Sequence, residues 1–262
     1  MIQEPPRSNY DLNFELLGYQ IRVFWGFWIL AAILGWSWSE YMHAYSQVVT
    51  ESSPGPFVFL LIWVAAVFLS ILVHELGHSL AFSYFGIRSH IVLHHMGGVA
   101  IANSFGSWDG ARQGRLGSRE NVIVSAAGPA LQLALAAVTL AIAYAFNISA
   151  TIPFTRIPLS DAANPQPFLA FAFVQAIVLP SVFWALLNLA PVFPMDGGQI
   201  LRGLLEIFNV RDPHHATHLT SLIVAALLGV YFLSVGQLMP AMLFMFLGAT
   251  NYQMMQMGRS GF

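Results

Sequence analysis

His74-Glu75-Leu76-Gly77-His78 lies inside a long apolar run. Two imidazoles and a carboxylate are costly in hydrocarbon, so a chain that places them there must compensate them, and a bound metal does so. On a helix, residues four apart sit one turn above the other on one face. His74 and His78 can therefore hold one Zn2+, with Glu75 placed as general base toward a water that the ion activates. Catalytic zinc takes three protein ligands and keeps one position open. The chain has no cysteine, so the third ligand must be a histidine or a carboxylate. The best candidate is Asp196, in the stretch Asn188-Leu189-Ala190-Pro191-Val192-Phe193-Pro194-Met195-Asp196-Gly197-Gly198. Its two prolines break a helix, and its two glycines permit tight turns and close backbone approach. His214 and His218 share the ligand spacing, but no acid lies between them, and a structural or regulatory metal is the weaker reading there. His94 and His95 fall on a predicted strand, where gating competes with an ordinary interfacial role.

The elements that must position these groups follow from hydropathy. Of 262 residues, 57% are hydrophobic and 8% charged, against about 25% charged in soluble domains. Apolar runs occur at about 22–38, 57–85, 121–146, 168–193, 217–234 and 237–255. Each is of spanning size, though the first and fifth are short. The expected fold class is an all-α polytopic membrane protein of about six transmembrane helices, with four as the fallback if the last two runs form a re-entrant pair. The run near 89–102 differs: it is β-branched, broken by glycine and too short to span, and it predicts a small membrane-associated strand or hairpin. Residues 1–21 read as a polar cytoplasmic segment without the basic-then-apolar pattern of a signal peptide. Residues 22–262 read as a single transmembrane domain. Phe24, Trp25, Phe27, Trp28, Trp36 and Trp38 form an expected interfacial belt.

All ten basic residues are arginines, and their distribution predicts orientation. Arg7 and Arg22, then Arg88, Arg112, Arg115 and Arg119, then Arg202 and Arg211, then Arg259 fall on one side of six spans, and Arg156 alone on the other. Arginine-rich loops stay in the cytoplasm, so both termini are expected there. The second and fourth spans then run the same way. His74 and His78, and more than a hundred residues later Asp196, reach the cytoplasmic side at similar depth.

HELGH in one span, with N-x-x-P-x-x-P-x-D-G-G ending another, resembles the site-2 protease family of intramembrane zinc metalloproteases. Gly97-Gly98-Val99-Ala100 looks like that family's membrane-associated strand region. Ala127-Gly128-Pro129-Ala130-Leu131-Gln132 is similar to its A-G-P-x-x-N element, with Gln132 where the family usually has Asn. The resemblance is to the compact branch without a PDZ domain, and it covers roughly 57–200. It implies one Zn2+ per chain on His74, His78 and Asp196, with Glu75 catalytic. Asn188 and Gln132 become candidates for contacts to the oxyanion or substrate, and Gly97 and Gly98 for the strand that receives substrate. The implied substrate is a single-span membrane protein in the lipid bilayer, cut within or near its span during regulated intramembrane proteolysis. A regulatory membrane protein is a further expected partner. A basic nucleic-acid footprint is absent. Two other classes compete: a membrane metal transporter, which predicts polar groups at several depths, and a silent membrane chaperone, which predicts loss of Glu75 or a histidine.

Overall fold

The computed structural model describes residues 6–95, 97–102, 116–150 and 167–259. In chain order the elements are strands β1 (Leu12–Leu16) and β2 (Tyr19–Val23), helices α1 (Trp25–Thr50) and α2 (Pro56–Tyr84), strands β3 (Ser89–His94) and β4 (Gly97–Ala102), and helices α3 (Ser118–Ala145), α4 (Phe168–Asn188), α5 (Asp196–Ile207), α6 (Pro213–Ser234) and α7 (Leu238–Arg259).

The expected hairpin near 89–102 is there as β3 and β4, paired antiparallel from Ser89↔Ala102 to His94↔Gly97. It is half of a larger sheet. The N-terminal residues, expected as a polar segment leading directly into a span at 22, instead form a second hairpin, and α1 begins at Trp25. Its turn is Leu17-Gly18, with φ of 53° and 82°. Two successive left-handed residues match the twist of a two-residue hairpin, and the glycine adopts the second without steric cost. The sheet order is β1-β2-β3-β4. β2 and β3 pair in parallel, which requires a crossover, supplied by α1 and α2.

By packing, the described residues form two compact units, those within 1–113 and 130–185 and those within 114–129 and 186–262. In the first, strand alternation puts Ile21 and Val23 on the same face as Ile91 and Leu93. That face is buried against Phe27 and Ala31 of α1 and against Val67, Ile71, Leu72 and Leu76 of α2. α2 starts with Pro56 in its first turn, where the missing amide hydrogen costs nothing. The second half of α2 is fixed on the sheet. The second unit is held by Val192, Ala225, Phe244 and Leu247, in which α6 and α7 pack together.

Four helices among the described residues are long and apolar enough to cross a membrane: α2, α3, α4 and α6. They make this a membrane protein. α1 and α7 have the length, 26 and 22 residues, but not the apolarity. α1 is diluted by Ser37, Ser39, Glu40 and His43. The apolar run at 168–193 ends as helix at Asn188, ahead of the first proline of the Pro191–Pro194 pair.

Candidate metal centre

His74, Glu75 and His78 lie in the second half of α2, all buried. His74 Nε2 and His78 Nε2 are 3.1 Å apart. Two nitrogen ligands of a tetrahedral zinc, each about 2.05 Å from the ion, lie about 3.3 Å apart. Two ring nitrogens converging in a buried setting are a donor set that a cation reconciles. His74, His78 and Asp196 form a possible metal-binding group, each offering one ligand atom. Their chemistry, two imidazoles and a carboxylate, is that of a catalytic zinc site.

Asp196 is the first residue of α5. The positive end of a helix stabilises negative charge at that position. The preceding turn is compact. A Cβ on Gly197 would meet the carbonyl oxygens of Leu189 and Ala190, and one on Gly198 would meet the backbone of Val192 and Phe193. The Pro-Met-Asp-Gly-Gly stretch therefore reads as a requirement for backbone packed on backbone.

Phe193 is fastened at both its peptide groups. Its N–H donates to Ser221 Oγ at 2.9 Å. Its carbonyl accepts from Asn251 Nδ2 at 2.6 Å. Asn251 Oδ1 in turn pairs with His218 Nδ1 at 2.7 Å. His218, with its ligand-like spacing to His214, thus serves this network on α6 and α7. No metal group beyond the one above is formed among the described residues.

Glu75 faces β4. A Cβ on Gly98 would lie 2.5 Å from Glu75 Cγ and 2.6 Å from Oε1, so glycine is what lets that strand close on the carboxylate. Gly97 has φ of 118°, and a Cβ there would lie 3.0 Å from Trp184. Both glycines singled out in the sequence are therefore at the strand end beside Glu75.

Gln132, a candidate for contacts to the oxyanion or substrate, has its polar partners within the protein. It is completely buried, and both ends of its amide are engaged. Oε1 lies 2.9 Å from His74 Nδ1, and Nε2 donates to Ser70 Oγ at 2.8 Å. Asn188 closes α4, half-buried. His94, at the end of β3, is 4% exposed. Burial first, then His95 and Arg22, hold its imidazole below the ordinary histidine value. The segment 103–115, with Arg112 and Arg115, and Arg156 lie outside the described residues.

Residues 62–231 match peptidase family M50. That match covers well over half of the chain, and the chain belongs to this family. A zinc metalloprotease of Methanocaldococcus jannaschii is 28% identical over 150 residues, which are 57% of this chain and 36% of that protein. A relative from Synechocystis is 29% identical over 181 residues, 68% of this chain and 40% of that protein. The chain thus spans well under half the length of these two relatives. The solved site-2 protease from M. jannaschii shares the fold, with a TM-score of 0.53 and 20% identity over 94% of this chain and 95% of that one.

Proposed function

We propose that this protein is an intramembrane zinc endopeptidase that cuts single-span membrane proteins within or near their spans, in regulated intramembrane proteolysis. The observation that carries the reading is the convergence of His74 and His78 on α2, a helix apolar enough to span, with Asp196 offering a third ligand atom and Glu75 beside them. His74 Nε2, His78 Nε2 and an Asp196 carboxylate oxygen would hold the zinc.

When bound, zinc supplies Lewis acidity for water activation and carbonyl polarisation. Glu75 takes the proton of the attacking water on its carboxylate and later gives it to the leaving amine. Gly98 sets the distance between Glu75 and β4. β4 pairs only with β3 among the described strands, so its other edge can receive a locally unwound substrate segment as an added strand. A peptide bond in an intact helix is sterically hidden, and edge pairing holds it open. Both ends of the Gln132 amide are engaged, which leaves Asn188 as the side-chain donor for the oxyanion. In this reading α1 and α7 complete six membrane helices, and the arginine distribution puts both termini and the site toward the cytoplasm. A regulatory membrane protein is a compatible partner.

The test is Glu75→Gln in cells that express candidate single-span substrates, read by fragment mass. The variant keeps its zinc and releases no fragment. Full cleavage by Glu75→Gln overturns the mechanism, and zinc-free wild type overturns the metal assignment.

A further inference from the structure

His74, Gln132, Ser70 and Ser181 form one continuous buried chain across α2, α3 and α4. His74 Nδ1 to Gln132 Oε1 is 2.9 Å, Gln132 Nε2 to Ser70 Oγ is 2.8 Å, and Ser70 Oγ to Ser181 Oγ is 2.9 Å. All four side chains are at most 2% exposed. None of them is apolar, and each is placed where hydrocarbon packing alone would favour a leucine or alanine.

We propose that Gln132 is a positioning residue that fixes the tautomer and ring orientation of His74, so that Nε2 is kept as the metal-binding nitrogen. The proposal rests on the zinc-site reading above and gives a role to a residue that the family resemblance alone had offered to the oxyanion or substrate. The polarity of the chain carries the argument. Gln132 Nε2 donates to Ser70, so Oε1 is the end that faces His74 and must accept. Nδ1 therefore bears the proton and Nε2 presents a lone pair, 3.1 Å from His78 Nε2. Ser70, whose oxygen accepts from the amide, can pass its own hydrogen to Ser181. A reversed amide would put the proton on Nε2 and block the metal. A glutamine at this position thus gives His74 the outer hydrogen bond that metal-bound histidines usually make to a carboxylate or carbonyl.

Two measurements test this on the full chain in detergent. The first is nitrogen-15 NMR of histidine-labelled, zinc-free protein. The wild type shows His74 as the Nδ1–H tautomer, and so does Gln132→Glu, which keeps an acceptor. Gln132→Leu, which keeps the bulk, loses that preference. The second is zinc affinity by competition with a chelator. Gln132→Leu weakens zinc about 10- to 100-fold, and Gln132→Glu restores it to near the wild-type value. An Nε2–H tautomer in the wild type overturns the proposal without any variant having to fold. So does Gln132→Leu with unchanged zinc affinity, or equal loss in both variants, which would mark a packing role. A wild type that binds no zinc defeats the metal-site reading instead, and the tautomer measurement still decides the role of Gln132.

Discussion

The two histidines and the aspartate of the candidate centre are held by opposite means. His74 and His78 sit in mid-helix, where backbone hydrogen bonds and a four-residue spacing set their mutual geometry. One side-chain relay then suffices to orient a ring. Asp196 comes directly after a turn that no regular ladder supports, and its position depends on backbone packed against Gly197 and Gly198 and on fasteners from α6 and α7. A ligand on a helix is specified locally. A ligand at a broken helix end is specified by residues far along the chain.

That contrast is open to attack by mutation, most forcefully at the turn itself. Gly198→Ala puts a methyl group about 2.6 Å from Phe193 Cα and from the carbonyl carbon of Val192. Overpacking of this kind costs about 1–3 kcal/mol or more, and here the strain falls on backbone that cannot rotate away. Zinc content should collapse while α2 remains helical. Retention of stoichiometric zinc would mean that the turn is more compliant than its packing implies. Asn251→Leu is the next largest. It strips the Phe193 carbonyl and His218 of buried partners, at about 1–3 kcal/mol. Thermal unfolding should shift downward and zinc should weaken, though less than in Gly198→Ala. An unchanged midpoint would remove Asn251 from the account.

The smallest effect sharpens the comparison at the outer end of α5. Ser118, then Arg202, hold the Glu206 carboxyl below its ordinary value, against the opposing pull of burial. A carboxyl depressed in the folded state stabilises it above the unfolded value, and that contribution is lost as pH falls through the lower folded one. Glu206→Gln should therefore be slightly less stable than the wild type at neutral pH, by less than about 1 kcal/mol for so accessible a pair. The gap should close below the ordinary carboxylate value of 4.5. A gap that persists there would rule out the charge as its source.

What could be read from the sequence divides along the same line. His74, Glu75 and His78 were legible because helical spacing is local, and Asp196 because prolines and glycines mark the break before it. The 89–102 hairpin was legible from β-branching and glycine. The N-terminal hairpin was not, although Leu12, Phe14 and Leu16 alternate, as do Tyr19, Ile21 and Val23, around Leu17-Gly18. The long apolar stretch beginning at residue 22 drew β2 into an expected span. Gln132 was singled out only by its place in the A-G-P-x-x-N-like element, because its partner lies 58 residues away on another helix, and no local pattern encodes that pairing. His218 has a partner that is equally distant in sequence. Its spacing to His214 suggests a ligand, whereas its fixed partner is Asn251, 33 residues on. Of the six expected spans, four are both long and apolar enough. In α1 the apolar side chains are diluted by Ser37, Ser39, Glu40 and His43.

The pairing of β2 with β3 has a consequence for solubility during synthesis. Ile91, Val92 and Leu93 are completely buried, and β3 is covered on one side only because the N-terminal hairpin docks there. Without residues 12–23, β3 would be a bare, uncharged and strongly β-forming edge, the kind that recruits strands from other copies. The N-terminal hairpin is thus a built-in guard for a strand that follows it by seventy residues (about 89 against about 19 in chain position).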